Sequence, residues 1–134
     1  MRYPAFWIEG DPKPKGSWTP FKRKDGSLGV HHASGATAQW CRSAAVQVKT
    51  NWLFGVLEGP VKVTLQFRLP QVSKAAQKRD YPSVRGEGDI DKLVRGIYDA
   101  MTGVVFTDDA QVVRACEDKL YGEKTGCWVT VEEL

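Results

Sequence analysis

Five aspartates fall within 28 residues, 86 to 113, of a chain whose formal net charge is +3. Two stand as Asp89-x-Asp91, one follows at Asp99, and two are adjacent at Asp108 and Asp109. Carboxylates held close together repel, and each raises the other's pKa, unless a cation lies between them. Such a group is either spread over solvated surface or built around metal. Oxygen donors of this kind suit one or two hard divalent cations, Mg²⁺ foremost, which activate a water and steady the charge building on a phosphodiester. Asp-x-Asp and Asp-Asp are weak patterns taken alone. Two plainer readings stand beside the metal. Asp89 occupies the place of a helix N-cap, where the helix dipole favours a carboxylate. Asp91 with Arg95, and Arg95 with Asp99, have the i,i+4 spacing of ordinary helical ion pairs.

These carboxylates need elements to position them. Ile90, Leu93, Val94, Ile97 and Met101 form an apolar stripe that predicts a helix beginning at Asp89. At about 100° per residue, Asp91 and Arg95 share one flank of that stripe, one turn apart. Asp108 and Asp109 follow a short apolar segment and precede the last strands. A turn feeding a strand toward the N-terminus of the Asp89 helix would bring the two acid pairs together.

Residues 3 to 10 read as a first strand. Trp40, Ala44, Val48 and Trp52, with Ala45 and Val56, predict a helix from Ala36 to about Leu57, stopped by Gly59 and Pro60. Val61 to Leu69 alternates as a half-buried strand. The segments 110–122 and 126–134 read as a closing pair of strands bracketed by Gly122 and Gly126. The expected fold is α+β: a small mixed or antiparallel sheet flanked by two main helices, one domain over residues 1–134.

Charge is unevenly divided. Residues 1–85 carry 14 Lys/Arg against 5 Asp/Glu, and residues 86–134 carry 5 against 11. Enzymes that cut nucleic acid with metal need both kinds of surface, one to gather phosphates and one to hold the ion. Two connections concentrate the cations. Residues 11 to 32 hold Lys13, Lys15, Lys22, Arg23 and Lys24, with Trp18 and Phe21 interleaved as candidate stacking platforms. Residues 70 to 88 hold Lys74, Lys78, Arg79 and Arg85 in a connection long enough to suggest function. His31 and His32 have no Cys or Glu at ligand spacing and are not assigned to metal. A calcium loop fits poorly, because Val94 and Ala100 stand where its Gly and Glu belong. Three isolated cysteines, Cys41, Cys116 and Cys127, fit ordinary thiols in a reducing cytosol. No apolar run is long enough to span a membrane, and the N-terminus lacks a signal-peptide core.

The acid blocks resemble those of the RusA-type Holliday-junction resolvases, small endodeoxyribonucleases of bacteria and their phages. That pattern is Asp-x-Asp-Asn-Leu-x-Lys-x-x-x-Asp-Ala-Leu, then Asp-Asp-x-x-Val. This chain reads Asp89-Ile90-Asp91-Lys92-Leu93-Val94-Arg95, then Asp99-Ala100-Met101, then Asp108-Asp109-Ala110-Gln111-Val112. "PKPKGSWTPF" is also similar to the opening loop of phage members. The resemblance implies a homodimer using Mg²⁺ or Mn²⁺, with no small-molecule cofactor and no membrane partner, acting on four-way DNA junctions in a bacterial or phage-host cytoplasm. It puts the essential carboxylates on Asp89, Asp91 and Asp109, with Asp108 beside them as a further metal ligand. It puts the catalytic lysine on Arg95, which keeps the charge but cannot lose a proton at working pH. Lys92 stands where the family usually has Asn and is left unassigned. A broader nuclease of flaps and forks, and a protein that binds junctions without cutting them, are the alternatives.

Overall fold

The computed structural model describes residues 1–16, 19–31 and 35–134, with backbone alone for 19–21 and 29–31. Trp18 and His32, and the side chains of Phe21 and His31, lie outside the described residues.

The chain forms β1 (Phe6–Glu9), β2 (Thr19–Lys22), β3 (Leu28–His31), α1 (Gly35–Asn51), β4 (Val61–Leu69), α2 (Ile90–Met101), β5 (Val112–Tyr121) and β6 (Gly126–Glu133). β4 is the centre of a four-stranded mixed sheet ordered β1-β6-β4-β5. Its alternation is strict: Val61, Val63, Leu65, Phe67 and Leu69 are buried, and the residues between them are half-buried. The buried side meets Trp40, Ala44 and Val48 of α1 and Leu93, Ile97 and Met101 of α2 in one core. Both helices therefore cover one face of the sheet, as expected of an α+β fold with two main helices. On the other face Trp7 and Trp128, paired across β1 and β6, bring their rings to 5.3 Å. No helix of the described residues is long and apolar enough to cross a membrane.

Three expectations need correction. α1 ends at Asn51 rather than near Leu57: Trp52 still reaches Val48, but Gly55 turns the chain at φ 77°, leaving Val56 exposed, and Ala45 is exposed on the outer face of the helix. Trp40 and Trp52 are core residues, as their spacing implied. The closing strands are not partners of each other. β5 runs parallel to β4 on one side and β6 antiparallel to it on the other. The connection crosses the end of β4, where the Gly122 amide donates to the Leu69 carbonyl at 3.0 Å. β4 carries backbone N–H and C=O groups along both edges, and β5 and β6 each satisfy one of them. Gly126 secures the other end of this arrangement, since a Cβ there would sit 2.1 Å from the Ile8 carbonyl oxygen of β1.

Residues 19–31 form a separate two-stranded hairpin, β2 against β3. Its tip carries Lys22, Arg23 and Lys24, all exposed.

Candidate functional site

α2 is the axis of the site, and both of its ends are fixed from outside. At the N-terminal end, Gly88 turns at φ 100° and its carbonyl accepts from Lys119 Nζ of β5 at 2.7 Å. Arg79 donates to Glu87 at 2.6 Å and to the Tyr121 hydroxyl, which itself donates to Glu87 at 2.8 Å. This brace anchors the long connection to β5. Arg79 is thereby engaged inside the fold, whereas Lys74, Lys78 and Arg85 of the same connection are exposed.

Asp89 sits at the N-cap position with extended backbone, but its carboxylate makes no cap bond. Capping therefore does not account for it. Its one ion pair among the described residues is with Lys92, at 3.7 Å. Asp91 and Arg95 are exposed on the next turn, and neither of the expected ion pairs of Arg95 forms among the described residues. Asp99 pairs instead with Lys15, at 2.5 Å. The opening basic loop lies across α2, with the Lys15 amide donating to the Lys92 carbonyl at 3.0 Å. From there the lysine side chain runs past Gly96, whose added Cβ would come to 3.8 Å of Lys15 Cβ, and ends at Asp99. Sequence spacing could not show this, because Lys15 and Asp99 are 84 residues apart. Lys13 pairs with Asp11 at 3.2 Å, and Arg23 donates to the Leu28 carbonyl at 3.0 Å across the hairpin tip.

The second acid pair arrives at the opposite end of α2. After Met101 the chain folds back at once, through Val105 N–H to Met101 O at 2.8 Å and Gly103 N–H to Phe106 O at 2.7 Å. Asp108 then caps the short 3-10 turn Asp109–Gln111: its Oδ1 accepts from the Ala110 amide at 2.8 Å, and the Gln111 side chain accepts from the Asp108 amide at 3.0 Å. Gln111 also donates to the Leu57 and Gly59 carbonyls at 2.9 Å, tying the turn to the segment that follows α1.

The electrostatics of Tyr98 register the charge of Asp109. The Asp109 carboxyl, though exposed, is raised above its ordinary value, first by the desolvation the fold imposes on it, then by the hydrogen bond and charge of the adjoining Asp108, with the charge of Asp99 adding. The Tyr98 phenol is pushed up to about 12 by burial and by the charges of Glu117 and Asp109. Tyr98 packs edge-on against Phe106 and remains a neutral hydroxyl among carboxylates. Tyr98 and Glu117 were not singled out by sequence reasoning. The strand alternation that turns Glu117 toward α2, opposite Leu65, was the available signal.

Within one chain the two acid pairs are thus at opposite ends of a helix. Asp91 and Asp99 are eight residues apart, about 12 Å along the axis at 1.5 Å per residue. β5 starts beside the end of α2 and runs back toward its start, so Asp109 stays at the far end. The expected turn toward the N-terminus of α2 does not occur, because the short fold-back after Met101 cannot return along the helix. Oxygens that share one Mg²⁺ lie about 2.1 Å from it, and so within about 4 Å of each other. Among the described residues no three His, Cys, Asp or Glu side chains group in that way. The donors have the right hard-oxygen chemistry, but the described residues of one chain do not bring enough of them to one point.

The crowded charge at Asp109 has a measurable consequence. The folded chain holds this proton more tightly than the unfolded chain, so stability falls as pH rises from 3.8 through the raised value. Asp109→Asn is expected to raise the melting temperature of the metal-free protein at pH 7, with the gain shrinking toward pH 4. Thermal denaturation at the two pH values checks it.

The family model for endodeoxyribonuclease RusA matches residues 10–132 of the 134. None of the curated proteins matches the chain. The match runs from Gly10 through the basic loop and both acid pairs to Glu132 in β6, and on that basis the chain belongs to the RusA family of Holliday-junction endodeoxyribonucleases.

Proposed function

We propose that this protein is a homodimeric, Mg²⁺-dependent resolvase that hydrolyses backbone phosphodiesters in paired strands of a four-way junction. The observation that carries the reading is the placement of Asp89 and Asp91 at one end of α2, and of Asp108 and Asp109 at the other. A two-fold axis that sets two α2 helices head to tail would oppose the ends left incomplete in each chain. Asp89, Asp91 and Asp109, with Asp108 beside them, would then hold Mg²⁺ or Mn²⁺. The bound ion would supply an activated water and offset charge on the phosphate.

The chain's own residues do the rest. Arg95 projects beside Asp91 with its guanidinium uncommitted to any ion pair among the described residues, suited to clamp a phosphate through two N–H donors. Lys22, Arg23 and Lys24 at the hairpin tip, with Lys74, Lys78 and Arg85, offer cations to the junction arms, fixing position without reading sequence. Lys13 and Lys15 are held by Asp11 and Asp99 and serve the same surface from fixed positions. A two-fold protein on a two-fold junction delivers one cut to each of two paired strands.

In a cleavage assay on four-way, flap and plain duplex DNA, the parent is expected to cut the junction only with Mg²⁺ or Mn²⁺, and Asp91→Asn to lose roughly a hundredfold or more. Equal cutting of plain duplex would overturn the junction reading. Equal cutting of flaps would widen it to branched DNA in general.

A further inference from the structure

β5 closes one edge of the sheet and, among the described residues, is paired on one side only, to β4. Five consecutive residues, Val113 to Glu117, are exposed, so both faces of the strand are bare there. Val113 is 60% exposed. A ten-residue edge with free N–H and C=O groups is a template for another strand, and charged side chains normally blunt it. On β5 the charges are arranged so that one pairing escapes that penalty. Arg114, Cys116 and Asp118 share a face, opposite Lys62, Thr64 and Gln66 of β4. If a second β5 lies antiparallel about a two-fold through Cys116, Arg114 of each copy faces Asp118 of the other. Centring on Ala115 or Glu117 forms no opposite-charge pair, and centring on Arg114 or Asp118 sets a like charge against itself. Arg68 holds Asp118 through Oδ1 at 2.7 Å and leaves the carboxylate about half exposed, so it can take a second cation.

We propose that β5 is the interface between two copies of this chain, paired antiparallel with Cys116 on the two-fold and joining two four-stranded sheets into one of eight strands. The proposal rests on the homodimer reading and specifies its surface and register. Opposed residues in such a pair have Cβ atoms about 4.5–5.5 Å apart and contribute when their charges are opposite. The pairing also covers Val113 and Ala115, which the helices of one chain leave bare.

The test is thiol cross-linking of the full chain by a short bis-maleimide, with sedimentation run alongside. Cys116 is exposed, Cys41 half-buried and Cys127 buried, its thiol held well above its ordinary range mainly by burial. A covalent dimer is expected for the parent and none for Cys116→Ser. Arg114→Glu, which sets a carboxylate against Asp118 of the other copy, is expected to cut the cross-linked yield at least tenfold and to shift sedimentation toward monomer. A stable dimer that does not cross-link through Cys116 overturns the β5 interface while leaving the homodimer reading intact. A monomer at every concentration overturns both, and junction cleavage is scored separately.

Discussion

Asp91→Asn and Asp109→Asn, each expected to be inactive alone, are expected on mixing to restore nicking of a four-way junction. If each site draws Asp89 and Asp91 from one copy and Asp109 from the other, a mixed dimer holds one site with both substitutions and one with neither. Random exchange makes half the dimers mixed, so about a quarter of all sites recover. The product should be nicked junction rather than resolved duplexes, because each mixed dimer has a single working site. If one chain carried a whole site, every site in the mixture would hold one substitution and nothing would recover. The physical ground is the length of α2. Twelve residues separate its ends by about 18 Å, several times the span of one ion's coordination sphere. The substitutions themselves are mild for the fold, since both carboxylates are exposed and Asp109 is better accommodated neutral than charged. Loss of activity by either variant alone is therefore not a folding defect, which melting curves can verify.

What could be read in advance follows from the range of the interactions involved. The helix at Ile90–Met101 and the strand at Val61–Leu69 were legible because their apolar periods are local and each decides which face is buried. The end of α1 was not, since the stripe continues numerically to Val56 while Gly55 and the Trp52 indole, which donates to the Gly55 carbonyl at 2.7 Å, turn the chain earlier. Nor was the separation of β5 from β6 by β4, because two strands joined by a short glycine-bracketed turn ordinarily pair. Here each strand instead hydrogen-bonds to one edge of the buried β4. The acids were identified by type and order, but their meeting point depended on the path of seven residues after Met101. That path is set by backbone hydrogen bonds and by the burial of Val105 and Phe106, not by the aspartates. Asp99 shows the same limit on a smaller scale. Its helical neighbour Arg95 was the local choice of partner, and Lys15 took the place through tertiary packing.

Arg95→Ala is expected to lower junction cleavage by roughly 10²–10³-fold, the range seen when one group stabilising developing charge is removed. Arg95 is exposed and makes no ion pair among the described residues, so its replacement should change stability by no more than about 0.5 kcal/mol. The instructive comparison is with Arg95→Lys. A guanidinium stays protonated across the working range, while a lysine ammonium can give up its proton once its surroundings lower its pKa. If the position supplies charge, lysine should cut within tenfold of the parent, with the same dependence on pH, because the phosphate meets a cation either way. Some loss is expected there, since lysine offers a single point charge in place of two parallel N–H donors. If the position must transfer a proton, Arg95→Lys should instead cut far better than the parent and add a limb to the pH–rate profile. The placement of Arg95 suits a charge role: it is exposed one turn from Asp91 on the same flank of α2 and pairs with neither Asp91 nor Asp99 among the described residues, so its cation is open to a phosphate brought to the carboxylates.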